Sequence, residues 1–197
     1  MFQGDYKRYR GYDYKYSFVI PKDWVADQAI LVAKTQSRAG ILDYSKAQSQ
    51  RASRTLPDAA FGPVGRFNER GISQSDENVS VIASKLPVSG FTLDKLGSPE
   101  RAAEKLFALA LAPEGSGRQA SLIEACKEFR GGSIVYQFEY IINRGNKGVP
   151  LKAISVVGIK DGDTLITLTI VAPTLEWESN IQERRYRKVA ESFKLTT

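Results

Sequence analysis

The chain has 197 residues, 42% of them hydrophobic, with one cysteine, no histidine and a formal net charge of +6. That length supplies one core but hardly two independent domains, and a lone Cys126 excludes an internal disulfide and any Cys-x-x-Cys metal or redox pair. The absence of histidine removes the commonest general base, the imidazole metal ligand and every Ser-His or Cys-His nucleophile, which argues against a hydrolase.

The first fifteen residues are polar and basic, with Lys7, Arg8, Arg10 and Lys15 set among tyrosines and against Asp5 and Asp13. No apolar signal region is present there, so any targeting segment is expected to have been removed already. Residues 1–15 read as a Tyr-rich N-terminal docking tail. "YSFVI" follows as a short strand ended by Pro21. A long stretch rich in Gly, Pro, Ser, Gln and Arg then has no sustained periodicity, and residues 25–62 read as an irregular inserted arm. Basic residues outnumber acidic ones across this region as they do in the tail, and a positive surface favours an acidic partner.

"NVSVIAS" alternates as the next strand, and "LGSPERAAEKLFALALA" is a helix with Ser98 as N-cap, Pro99 at the first helical position and Glu100 in the first turn. Ala103, Leu106, Phe107, Ala110 and Leu111 fall on one face, and Pro113 and Gly115 end it. Three strands are expected next, "QASLIEACKEF", "SIVYQFEYII" and "LKAISVVGI". In the second, Tyr136, Phe138, Tyr140 and Ile142 oppose a more polar face containing Gln137 and Glu139. Asp161-Gly162 turns "LKAISVVGI" into "TLITLTIVA" as a hairpin, giving an antiparallel meander. A last helix over residues 179–193 is expected to open on a Ser179/Gln182 capping box and to seat Ile181, Val189 and Phe193 on the sheet. Its Arg184, Arg185, Arg187 and Lys188 read as a solvated face ahead of a third basic patch. The longest apolar run, residues 165–172, is the length of a strand and far below the ~20 residues of a membrane-spanning helix.

"YSFVIPKDW", "ENVSV", "LGSPE", "IVYQFEY", "KDGDTL" and "VAESFKL", in that order, resemble the PsbP family, the lumenal extrinsic proteins of photosystem II and their PsbP-domain relatives. The resemblance implies an α/β/α sandwich, a central antiparallel sheet flanked by helices, as a single domain over residues 16–197. It implies a location in the chloroplast thylakoid lumen, peripheral to the membrane, and a non-enzymatic role. The expected function is an extrinsic subunit that supports the oxygen-evolving complex and its retention of calcium and chloride at the manganese cluster. The alternatives are an assembly factor, or a lumenal subunit of photosystem I or the NDH complex. A nucleic-acid binder ranks last, because no recognition helix or RNA-binding signature accompanies the tyrosines and cations.

Partners are therefore expected to be the photosystem core and other extrinsic subunits, with the chain monomeric outside the complex. The expected partner-binding residues are Lys7, Arg8, Tyr9, Arg10, Tyr12 and Tyr14 in the tail and Arg38, Arg51 and Arg54 in the arm. No cofactor is expected to bind directly. "DENVS" and "KDGD" lack the carboxylate spacing of a calcium loop, and the histidines used by metal sites proposed for some plant members are absent. No catalytic residue is assigned, and Gly131-Gly132 and "GSGR" read as turns.

Overall fold

The computed structural model describes residues 3–11, 13–27, 57–64 and 76–196. Its centre is a seven-stranded antiparallel sheet in the order β3-β4-β5-β9-β8-β7-β6, formed by β3 (Trp24–Ala26), β4 (Ala59–Pro63), β5 (Asn78–Lys85), β6 (Gln119–Arg130), β7 (Ser133–Asn143), β8 (Leu151–Lys160) and β9 (Thr164–Pro173). The period-two pattern seen in the sequence decides which side chains enter which core. Ile166, Leu168, Ile170 and Ala172 of β9 join Val79, Val81, Val135, Ile154 and Val156 on one face. Tyr136, Phe138, Tyr140 and Ala153 line the other.

Helix α1 (Pro99–Leu106) covers the second face. Ser98 caps it by accepting from the Arg101 N–H at 3.4 Å, as its sequence suggests. The helix runs on into one wide π turn, Phe107–Leu111, in which the Ala112 N–H donates to the Phe107 carbonyl at 2.8 Å. The extra residue in that turn shifts the periodicity. Phe107 stays against Tyr140 (ring centroids 5.1 Å apart) while Ala110, expected on the buried face, is exposed.

The first face is covered by a mixed layer, and here the helix-only flank implied by the resemblance needs correction. Beside α3 (Asn180–Glu191) lies a second antiparallel sheet of β1 (Tyr6–Gly11), β2 (Tyr16–Pro21) and β10 (Lys194–Leu195), in the order β1-β2-β10. A single-turn helix, α2 (Thr174–Trp177), leads from β9 toward α3. The architecture is thus mixed α/β and dominated by sheet. Phe18 of β2 and Trp24 of β3 are both fully buried.

Three other expectations change. Residues 6–11 of the supposed tail form a strand paired with β2, from Tyr6 opposite Pro21 to Gly11 opposite Tyr16. Both ends of the supposed arm are strands as well, with Val25 opposite Gly62, because β3 and β4 complete the large sheet. Residues 28–56 of that arm lie outside the described residues. Ser179 sits at the N-cap of α3 without a capping hydrogen bond, and Ile181 points to solvent. Val189 and Phe193 are buried as expected, and Tyr186 and Ala190 seat the helix with them in place of Ile181.

Gly11 ends β1 under the ring of Tyr16, where a built Cβ would lie 2.3 Å from two ring carbons. Tyr16 cannot swing aside, since its hydroxyl donates to Asp58 at 2.5 Å inside the core. Gly11→Ala is therefore expected to destabilise the protein by about 2 kcal/mol, the scale of an overpacked core. Urea unfolding measures this, and an unchanged midpoint would show that the ring relaxes.

Candidate partner-binding surface

Strand geometry sorts the sequence-predicted tail residues by face. Tyr9 lies opposite Phe18 and turns inward, 4.9 Å from Phe61 and 5.5 Å from Phe18 between ring centroids. Tyr14 also packs against the core. The Lys7 ammonium donates to the Trp24 carbonyl at 2.6 Å and the Lys22 carbonyl at 3.3 Å, so it staples β1 to the β2–β3 turn. Arg8 and Arg10, opposite Val19 and Ser17, are exposed on the outer side. Tyr12, Arg38, Arg51 and Arg54 lie outside the described residues.

The small sheet brings further cations to this side. Lys194 pairs with Ser17 across the ladder, so Arg10, Ser17 and Lys194 stand in a row across three strands. Ser17 is 2% exposed although it faces outward between two long cations. Just before β10 begins, the Val19 N–H donates to Ser192 Oγ at 2.8 Å, which joins the same edge of β2 to the end of α3. Tyr186, Val189 and Ala190 face the large sheet, so Arg184 and Lys188 project the other way. Arg8, Arg10, Arg184, Lys188 and Lys194 form a basic face, and none of them is in an ion pair among the described residues. The sequence had weighed the α3 cations as a solvated helix face. Their alignment with β1 follows from the pairing of β10 with β2, which carries no local signal.

A polar network beneath α3 fixes its outward face. Arg187 donates twice to Glu139 of β7, at 2.8 and 3.0 Å, and also to Glu183. Lys152 of β8 reaches the same Glu139 at 2.8 Å and lies 5.0 Å from the centre of the Trp177 ring. Burial would raise the Glu139 pKa, but hydrogen bonds and charge from Arg187 and Lys152 outweigh it and hold the carboxyl below the usual range. The Tyr186 hydroxyl donates to buried Glu77 at 2.8 Å, and Arg185 pairs with Asp23 at the other end of the helix.

Reactive chemistry does not gather on this face. Cys126 lies half-buried on β6 with its thiol 3.4 Å from a Glu128 oxygen, and burial, followed by that carboxylate, pushes it up to about 11. It is a protonated packing group at neutral pH. Among the described residues no three His, Cys, Asp or Glu side chains stand close enough to hold a metal ion, and no helix is long and apolar enough to cross a membrane.

Fold and surface together define a sheet-dominated α/β domain that presents a cationic face built from β1, β10 and α3. The PsbP family model matches residues 4–195, and the chain belongs to that family. It is 30% identical over 125 residues to CyanoP of Thermosynechococcus vestitus, covering 62% of this chain and 66% of that protein. It is 36% identical over 111 residues to PsbP domain-containing protein 7, chloroplastic, of Arabidopsis thaliana, covering 54% of this chain and 35% of the relative. The chain thus spans under two thirds of the length of each. The solution structure of cyanobacterial PsbP (CyanoP) from Synechocystis sp. PCC 6803 superposes with a TM-score of 0.64 at 22% identity, over 99% of this chain and 95% of that one. LpqN, involved in cell envelope biogenesis of Mycobacterium tuberculosis, superposes at 0.51 with 12% identity, over 98% of this chain and 91% of its own. The same fold in a protein involved in mycobacterial cell envelope biogenesis shows that architecture alone does not assign a photosynthetic role.

Proposed function

We propose that this chain is a non-enzymatic lumenal accessory of the photosynthetic membrane, docked through its basic face onto acidic surfaces of a photosystem and its extrinsic subunits. The observation that carries the reading is the gathering of Arg8, Arg10, Arg184, Lys188 and Lys194 on one side of a PsbP-family domain. In the finer form, the partner is photosystem II, and the chain supports the oxygen-evolving complex and its hold on calcium and chloride without binding either ion itself. The likeness to a PsbP domain-containing protein of the chloroplast favours a second form, an assembly factor or a subunit of photosystem I or the NDH complex.

Docking of this kind is exposed to screening, since the Debye length falls from about 10 Å at 0.1 M salt to about 3 Å at 1 M. A molar salt wash is expected to strip the protein from thylakoid membranes. The wild-type chain should rebind at low salt, and the combined Arg8→Glu, Arg10→Glu and Lys188→Glu variant should rebind at least about tenfold more weakly, with an unchanged melting temperature. With no histidine to titrate, rebinding should hardly vary between about pH 5 and pH 8. Equal rebinding by the variant would remove this face from docking. Native-gel mass spectrometry separates the two forms: co-migration with mature photosystem II supports the first, and presence only with incomplete cores or other complexes supports the second.

A further inference from the structure

On the α1 side, at one end of the large sheet, a groove of about 470 Å³ opens between the β6–β7 hairpin and the loop that precedes α1. Phe91, Leu93, Phe129, Ile134 and Ile159 line it. Phe129 and Ile134 face each other across the last rungs of the β6–β7 ladder, yet they are 75% and 40% exposed. Two residues further along β7, on the same face, Tyr136 is buried. The ladder therefore continues past the cover that α1 provides, and it continues with apolar side chains.

The groove is preformed. Gly162 in the β8–β9 turn has φ +71°, and a Cβ there would meet the backbone of Gly90 at 3.2 Å. The Phe91 N–H donates to the Gly162 carbonyl at 2.7 Å, which ties the loop to the turn. The Lys95 ammonium donates to the Gly90 carbonyl at 3.0 Å and lies 5.7 Å from the centre of the Phe91 ring. From the floor of the sheet, the Tyr136 hydroxyl donates to the Gly97 carbonyl at 3.0 Å.

Charge selects the occupant. The aspartates at this end are each matched by a lysine: Asp94 by Lys127, Asp163 by Lys85 and Asp161 by Lys160. Lys95, at the mouth, has no carboxylate partner among the described residues. An apolar slot with surplus positive charge on its rim suits one large apolar side chain carried on an acidic segment. Its volume fits one or two side chains, whereas a bilayer surface is broad and flat.

We propose that this groove receives an aromatic or leucine side chain from an acidic segment of a partner protein. The proposal rests on the reading of the chain as a docking subunit and adds the chemistry of a second, salt-resistant contact. The test uses the isotope-labelled full chain and a ten-residue peptide with one phenylalanine flanked by glutamates. Amide shifts are expected at residues 90–94, 129–134 and 162. Replacing the peptide's phenylalanine by serine, or Ile134→Ser in the protein, should weaken binding by about tenfold, and Lys95→Glu by about threefold. Ile134 is partly exposed, so its variant should keep the wild-type melting temperature, which is measured alongside. Equal binding of the serine peptide, or shifts confined to β1 and α3, would overturn the proposal. So would anionic phosphatidylglycerol vesicles whose binding is lost with Ile134→Ser, since the groove would then serve a membrane. Thylakoid rebinding keeps the two readings separate: failure of the wild-type chain to rebind sinks the docking role, while peptide binding still decides the groove.

Discussion

Deleting residues 1–10 is expected to destabilise the whole protein by more than about 3 kcal/mol, a large share of the 5–15 kcal/mol of a typical domain. A docking tail would be dispensable for folding, but β1 is not a tail. Its loss removes the ladder from Tyr6 opposite Pro21 to Arg10 opposite Ser17 and leaves β2 as an open edge. Tyr9 leaves a cluster in which its ring meets Phe61 at 4.9 Å, Phe18 at 5.5 Å and Tyr16 at 6.2 Å. Because the three contacts share one ring and are not additive, together they contribute about 1 kcal/mol beyond its burial, and the half-buried ring adds roughly 1–2 kcal/mol of apolar transfer. The Lys7 staple to the Trp24 carbonyl and the Lys22 N–H bond to the Asp5 carbonyl are lost too. Tyr9→Ala alone should cost about 2 kcal/mol. Urea unfolding followed by circular dichroism decides: a truncated chain with the full-length midpoint would return residues 1–10 to the status of a leader. The same result warns that weak rebinding of such a truncation reports lost folding before it reports lost docking.

Why β1 was hidden in the sequence, while its neighbours were legible, is a matter of locality. The β8–β9 hairpin shows in a few residues, because Asp161 (φ 54°) and Gly162 adopt the left-handed backbone that a tight turn requires. The α1 cap shows in Ser98-Pro99, and the faces of β7 show in the alternation of Tyr136, Phe138 and Tyr140. "YKRYRG" has no such alternation, since an edge strand in a small outer sheet buries little more than Tyr9. β10 is two residues long and exists only because β2 offers it an edge. The candidate surface inherits that difficulty. Its cations come from residues 8–10 and 184–194, segments brought together by contacts such as the β2–β10 pairing and the Ser192 bond to Val19, all distant in sequence. Composition announced a basic protein, and strand pairing decided which cations share a face.

Glu139→Ala should cost about 2–3 kcal/mol and change the acid limb of stability as well as its height. Glu139 is 4% exposed, and the substitution would leave Arg187 and Lys152 facing each other without the carboxylate that separates them. The side chains of both cations retain some solvent contact, at 35% and 20% exposure, so the loss stays at the lower end of the range for a broken buried pair. Protonation repeats the substitution in milder form. The native carboxyl titrates below the ordinary glutamate value of 4.5, because Arg187 and Lys152 overcome the burial that would raise it. When pH falls, the unfolded chain therefore takes up this proton first. The network's contribution is full above the unfolded-state value and is lost as pH falls through the native one. Glu139→Gln keeps the shape without the titration, so its stability should decline less steeply than that of the wild type below about pH 4.5. Urea midpoints measured across the acid range provide the comparison. Parallel acid limbs in the two proteins would show that Glu139 keeps the same proton affinity folded and unfolded, and that α3 is held by its apolar face alone.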